Sequence, residues 1–263
     1  MINRILVIVA SALLLFWPVL PAAAHAPGDV KLEADLGAIS LYDGEDRVEL
    51  VFDDLFYGRI PGVKPLKCAC AVCAYRAAKE GIAALWGRKT PHREDIEIVS
   101  ALPTHGSLRM FQLVTGTAPE ADTKTKGVFR LVLPDGTEVT DLSPENIRGL
   151  SQDLTADNYS FTIIRRSTGE SFTITLNPEI FPEGYFAIRK KVCFAVPAPA
   201  TSEEQREYDA AYARIRKDLA TLPAWELFAE VEEPFPVAAV GFTGTLIALI
   251  LVGAVHSWRA GRR

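Results

Sequence analysis

The spacing of hydrophobic and polar positions changes several times along the chain. Arg47-Val48-Glu49-Leu50-Val51-Phe52 alternates and predicts a half-buried strand. Gly58 to Lys67, with Pro61, Gly62 and Pro65, predicts a loop. From Ala69 to Trp86 alanine and other strong helix formers dominate, and Gly87 stands where an αL stop belongs, so a helix is expected there. Asp95 to Ala101 reads as a strand, and Leu108 to Val114 as a short helix ended by Gly116. Val128 to Leu133 and Thr137 to Thr140 flank Pro134-Asp135-Gly136. Tyr159 to Arg165 and Ser171 to Leu176 flank Ser167-Thr168-Gly169. Both arrangements predict hairpins. Thr201-Ser202-Glu203-Glu204 is a capping box opening a helix with the apolar stripe Tyr208, Ala211, Tyr212, Ile215 and Leu219. Antiparallel hairpins with packed helices give the α+β class.

Both ends of the chain are apolar. Arg4, then the run Ile5 to Leu15, then Pro18, Pro21 and Ala22-Ala23-Ala24 predict a signal peptide over residues 1–24, with His25 as the mature N-terminus. Val237 to Val255 is apolar apart from two threonines and glycines, and Trp258, Arg259, Arg262 and Arg263 follow. This predicts a C-terminal transmembrane helix over 237–257 and a basic tail over 258–263 on the cytoplasmic side. The expected protein is thus single-pass in the cell membrane, with a periplasmic or extracytoplasmic ectodomain over 25–195. A linker and amphipathic helix over 196–236 lead to the membrane, and Val196-Pro197-Ala198-Pro199-Ala200 is the clearest internal linker.

The roughly 210 residues between the apolar ends suffice for one large domain or two small ones. Formal net charge is −5 and the isoelectric point is near 5.5. With no basic stripe interleaved with aromatics, nucleic-acid binding is not expected. No Gly-x-Ser-x-Gly, phosphate loop, dinucleotide fingerprint or His-Glu-x-x-His motif occurs, so the motifs name neither a nucleophile with its base nor a reaction.

The chemistry concentrates in sulfur. Cys68, Cys70 and Cys73 lie in the run Lys67-Cys68-Ala69-Cys70-Ala71-Val72-Cys73-Ala74-Tyr75-Arg76. Cys70 and Cys73, three apart, share a helix face that continues through the small residues Ala77, Gly81 and Ala84. Unsatisfied N–H groups in the first helical turn favour thiolate over thiol, and Lys67 and Arg76 add positive charge. Thiolate binds soft metals and attacks disulfides, so three readings stand side by side. In the first, the three thiolates with Cys193 or a histidine, His92 or His105, hold zinc or copper. In the second, four cysteines of an exported domain form two structural disulfides around a non-catalytic interaction module. In the third, Cys70 and Cys73 exchange disulfides, with Cys70 attacking. His25 as a free N-terminus, His105 in a turn, and the oxygen-rich group Asp153, Asp157 and Asn158 are further ligand candidates, each more simply read as surface. His256 falls at the membrane interface.

The residues Ala74-Tyr75-Arg76-Ala77-Ala78, Leu85-Trp86-Gly87, Arg93-Glu94-Asp95-Ile96 and Val114-Thr115-Gly116 carry a resemblance. The stretch from about Phe52 to Thr117 resembles the E-type subunit family of formylmethanofuran dehydrogenase. The resemblance implies an α+β domain. It also implies a metal site built from a His-Gly-His-x-Cys-Pro-Gly loop and a later cysteine in a Thr-Gly-Cys segment, beside a molybdenum or tungsten enzyme or alone. The departures fall on that chemistry. Tyr57 and Arg59, or Lys64 and Leu66 in the other alignment, replace both histidines, and Thr117 replaces the later cysteine. At most Cys68 matches a family ligand. The leading expectation is therefore an exported, membrane-anchored metal-binding accessory protein with a redox-enzyme or metal-delivery partner. Its expected ligand set is Cys68, Cys70, Cys73, Cys193 and His105.

Overall fold

The computed structural model describes residues 31–120 and 122–231. Seven strands and seven α-helices are found among them. A hairpin, β1 (Ala38–Asp43) and β2 (Asp46–Val51), runs into a short helix α1 (Phe52–Phe56) and then the Gly58–Lys67 loop. Helix α2 (Ala69–Trp86) follows, then β3 (Ile96–Ser100), α3 (His105–Thr115), β4 (Val128–Val132) and β5 (Glu138–Val139). Helix α4 (Pro144–Leu150) precedes the hairpin β6 (Ser160–Arg165) and β7 (Glu170–Thr175). The last elements are α5 (Tyr185–Phe194), α6 (Ser202–Thr221) and α7 (Ala224–Leu227).

The main sheet has five strands in the order β5-β4-β3-β6-β7. Pairing is antiparallel except between β3 and β4, which α3 connects as a parallel crossover. Period-two alternation gives the sheet one dry face. Ile96, Ile98, Phe161, Ile163 and Ile174 are buried on it, while Thr162 and Thr173 on the other face bond to each other at 2.9 Å in an exposed position. Helix α2 lies on the dry face, and α3 packs beside it. The pairing of β3 with both β4 and β6 places Ile98 opposite Phe129 and Ile163.

Helix α2 can approach the sheet because its inward face is small. Ala71, Ala74, Ala77 and Ala78 are fully buried, and a Cβ on Gly81 would stand 2.5 Å from Ile163 Cδ1 and 3.1 Å from its Cβ. Ala84 does not continue this face and is exposed. The helix ends at Gly87, which has φ 58° and ψ −116° rather than αL geometry. Helix α3 ends in the αL manner at Gly116, with φ 70° and ψ 16°.

Two links tie the remaining elements to this layer. The Tyr75 hydroxyl reaches the carbonyls of Gly37 at 2.5 Å and Leu50 at 2.7 Å, which holds the first hairpin on α2. Arg76 donates to the carbonyls of Leu219 and Leu222, both at 3.0 Å, and so caps the end of α6. The capping box at Thr201 is present, and Tyr208, Ile215 and Leu219 of the α6 stripe are buried.

The α+β class holds, with one correction to the expected architecture. Among the described residues no helix is long and apolar enough to cross a membrane. The transmembrane helix expected over 237–257, like the signal peptide over 1–24, lies outside the described residues.

Helix α2 sits on the sheet through a hydrogen atom at position 81. Gly81→Ala is expected to lower unfolding stability by about 1–3 kcal/mol, the usual cost of overpacking a closed core. Urea denaturation checks it, by a lowered midpoint at unchanged slope.

Candidate functional site

The local sequence places the start of α2 beside the start of α3. Cys68 is the N-cap of α2 with extended backbone, and Cys70 lies in its first turn. Thr104 caps α3 by accepting from the Ser107 N–H, and the next residues are His105 and Gly106. Gly106 is required for the contact between the two turns. A Cβ there would overlap Cys68 Sγ and stand 3.3 Å from the Ala71 nitrogen. The Cys68 sulfur is thus seated against the first turn of α3.

A cavity of about 100 Å³ opens from this junction. Cys68, Cys70, Cys193 and His105 line it, together with Tyr159 just before β6, Arg189 of α5, and Tyr208 and Tyr212 of α6. Four of the five residues expected as ligands therefore share one cavity. Cys73 does not; it is fully buried in the core. Cys68 and Cys70 are half-buried, Cys193 is buried, and His105 is exposed at the rim. All four cysteines are free thiols.

The two neighbouring sulfurs divide one proton unequally. A hydrogen bond from Cys68 lowers Cys70 to about 6, against the opposing effect of burial. The Arg189 charge and the hydroxyls of Thr104 and Tyr159 lower it further. Cys68 is pushed well up by that same hydrogen bond, by burial and by the Cys70 charge, so it stays a thiol. Burial, then the charge on Cys70, also raises Cys73. Arg189 is pulled down by burial, but the negative groups around it outweigh this and its net shift is upward. Its guanidinium is held by the Ser151 carbonyl at 2.6 Å and lies over the Phe194 ring at 5.2 Å.

Phenols complete the walls. The Tyr159 hydroxyl is 4.0 Å from Cys70 Sγ, and Cys193 Sγ is 3.5 Å from the Tyr208 hydroxyl. Tyr212 accepts from the Ala69 N–H at 3.0 Å and so satisfies a free donor at the start of α2. Burial is the first cause raising Tyr159, Tyr185, Tyr208 and Tyr212, so all four remain protonated.

The other expected residues lie elsewhere. His92 stacks on Tyr42 at 5.0 Å. Tyr57 carries the Arg59 guanidinium over its ring at 5.1 Å. Asp153 accepts from Lys190, and the Asn158 side chain accepts from the Thr155 N–H. Among the described residues no three His, Cys, Asp or Glu side chains stand close enough to hold a metal ion. Arg76 does not face Cys70. The cation that does is Arg189, four residues before Cys193 and so on its helix face, which is the one sequence signal for its place here.

Neither a scan against family models nor searches of curated proteins and of solved structures return a match to this chain.

The seating of Cys68 against Gly106 gives a direct test. Gly106→Ala is expected to displace the Cys68 sulfur, remove its hydrogen bond to Cys70 and raise the pH at which Cys70 ionises. The rate of Cys70 alkylation against pH reads this as a midpoint moved upward by about one unit, the shift that a charge-assisted hydrogen bond of roughly 1.4 kcal/mol maintains.

Proposed function

We propose that Cys68 and Cys70 form a redox-active dithiol, with Cys70 as the attacking thiolate and Cys68 as the thiol that resolves it. The observation that carries this reading is the shared cavity: Cys68 and Cys70 both line it, and their mutual interaction lowers Cys70 while raising Cys68. Nucleophilic attack needs thiolate, and closure of a disulfide needs a second sulfur within reach. Residues two apart have Cα atoms about 5–7 Å from one another, which overlaps the range that a disulfide spans. Oxidation joins the two sulfurs and releases two electrons and the single proton of Cys68. A dithiol reductant returns them.

The partner of Cys70 on this reading is Cys68 and not Cys73. Cys73 has no access to the cavity, and its buried surroundings hold it as an inert thiol. As to the resemblance to the E-type subunit of formylmethanofuran dehydrogenase, we read thiol redox chemistry as standing here where that family has its metal.

The reduced full-length chain tests the proposal in two measurements. Alkylation of Cys70 is expected to rise with pH through a midpoint near 6, below the unperturbed thiol range near 8.5. Equilibration in thiol–disulfide buffers is expected to yield one Cys68–Cys70 disulfide by peptide mass mapping. Cys73→Ala should retain that disulfide and Cys70→Ser should abolish it. Two thiols that stay reduced in every buffer, or one zinc or copper per chain by elemental analysis, would overturn the redox reading.

A further inference from the structure

Resting on that redox reading, we infer that the oxidant admitted to this cavity is a small hydroperoxide, which Cys70 reduces to the corresponding alcohol or water. Three features of the site lead there.

The first is size. A cavity of about 100 Å³ is several times the 10–15 Å³ that one water needs on the same measure. It has room for a molecule of a few non-hydrogen atoms. It has none for a loop of another protein presenting its disulfide.

The second is the leaving group. A thiolate attacking a disulfide expels another thiolate, which is stable in water near neutral pH because its thiol has a pKa of about 8.5. A thiolate attacking a peroxide expels hydroxide or an alkoxide. Water itself ionises only near 15.7, so the departing oxygen has to be given a proton. The site supplies one. The Tyr159 hydroxyl is 4.0 Å from Cys70 Sγ, and Tyr159 is 4% exposed and held in its protonated form. Thr104 and Arg189 line the same cavity, and the Arg189 charge already favours the ionised form of Cys70, so negative charge that grows on an oxygen in the cavity is favoured too. Disulfide exchange has no use for such an acid.

The third is the rest of the lining. Tyr185, Tyr208, Ile215 and Leu219 also line the cavity. These aromatic and aliphatic surfaces suit a short carbon substituent on the peroxide.

The reaction balances with the groups present. The Cys70 sulfur attacks the terminal oxygen of RO–OH and forms an S–O bond as the O–O bond breaks. The bonding pair leaves with RO⁻, which takes the Tyr159 proton and departs as ROH. Cys70 is now a sulfenic acid. The Cys68 sulfur attacks it and forms the S–S bond; hydroxide leaves and takes the Cys68 proton as water. Tyr159 recovers a proton from solvent. The peroxide has gained two electrons, the two cysteines have lost them, and an external dithiol resets the pair.

The test uses the reduced full-length chain mixed separately with hydrogen peroxide, ethyl hydroperoxide and dimethyl disulfide, with peptide mass mapping of the Cys68–Cys70 disulfide as the readout. Both peroxides are expected to close the disulfide roughly 100-fold faster than in the urea-unfolded chain at equal pH, the scale of a preorganised charge-stabilising site. Cys68→Ser should stop at the Cys70 sulfenic acid, captured by dimedone. With rates expressed per ionised Cys70, from the alkylation midpoint of each variant, Tyr159→Phe should slow closure by peroxide roughly 100-fold while leaving closure by dimethyl disulfide within about twofold. Peroxide reacting no faster than with the unfolded chain, while dimethyl disulfide closes the bond, would overturn this inference and leave the dithiol reading standing. Equal slowing of both oxidants by Tyr159→Phe would also overturn it. Failure of all three oxidants to close the bond would remove both readings together.

Discussion

The thiol centre depends on one close approach. The Cys68 sulfur lies where any side chain on residue 106 would have to be, so the first turns of α2 and α3 can meet only through a glycine. That contact fixes which way Cys68 points. It keeps Cys68 beside Cys70 on the same cavity, where the interaction between them lowers Cys70 and raises Cys68. A packing constraint at a single backbone position is converted in this way into a difference of charge.

The charge is then sustained by tertiary contacts. Burial alone would keep all three clustered cysteines protonated, as it does Cys73. Cys70 escapes because influences from four places favour its ionised form: the hydrogen bonds of Cys68 in its own segment, of Thr104 at the start of α3 and of Tyr159 just before β6, and the charge of Arg189 on α5. Residues 70 and 73 share composition and neighbourhood in the chain, yet one faces a lined cavity and the other a hydrocarbon layer. Their chemistry differs because their surroundings differ.

Much of the frame was legible in the chain because it is written locally. The helix over Ala69–Trp86 follows from an alanine run closed by glycine, and the β6–β7 hairpin from alternation around Ser167-Thr168-Gly169. The Thr201 capping box and the α6 stripe fall where the 3.6-residue period puts them. What escaped was long-range. Strand β1 and helices α1, α4 and α5 carry weak periodicity and are held by their contacts. The parallel pairing of β3 with β4 is a matter of topology, which no local pattern states. At the site, the cysteines and His105 could be named from the sequence, and four of those five residues line one cavity. The phenols and Arg189 could not, since Tyr208 and Tyr212 read as an ordinary apolar stripe. Three-residue spacing pointed to Cys73 as the companion of Cys70, whereas Cys68, two residues away at the helix cap, is the one that shares its cavity.

Helix α6 is tied to α2 at its middle and at its C-terminal end. Tyr212 takes the Ala69 N–H near the cavity, and the last carbonyls of α6 are gripped by Arg76 from the middle of α2. Swinging α6 outward would break three hydrogen bonds at once and strand a helix start and a helix end without partners. The side of the cavity that α6 supplies is therefore braced and not hinged. Anything that enters would have to fit a width that this brace sets in advance.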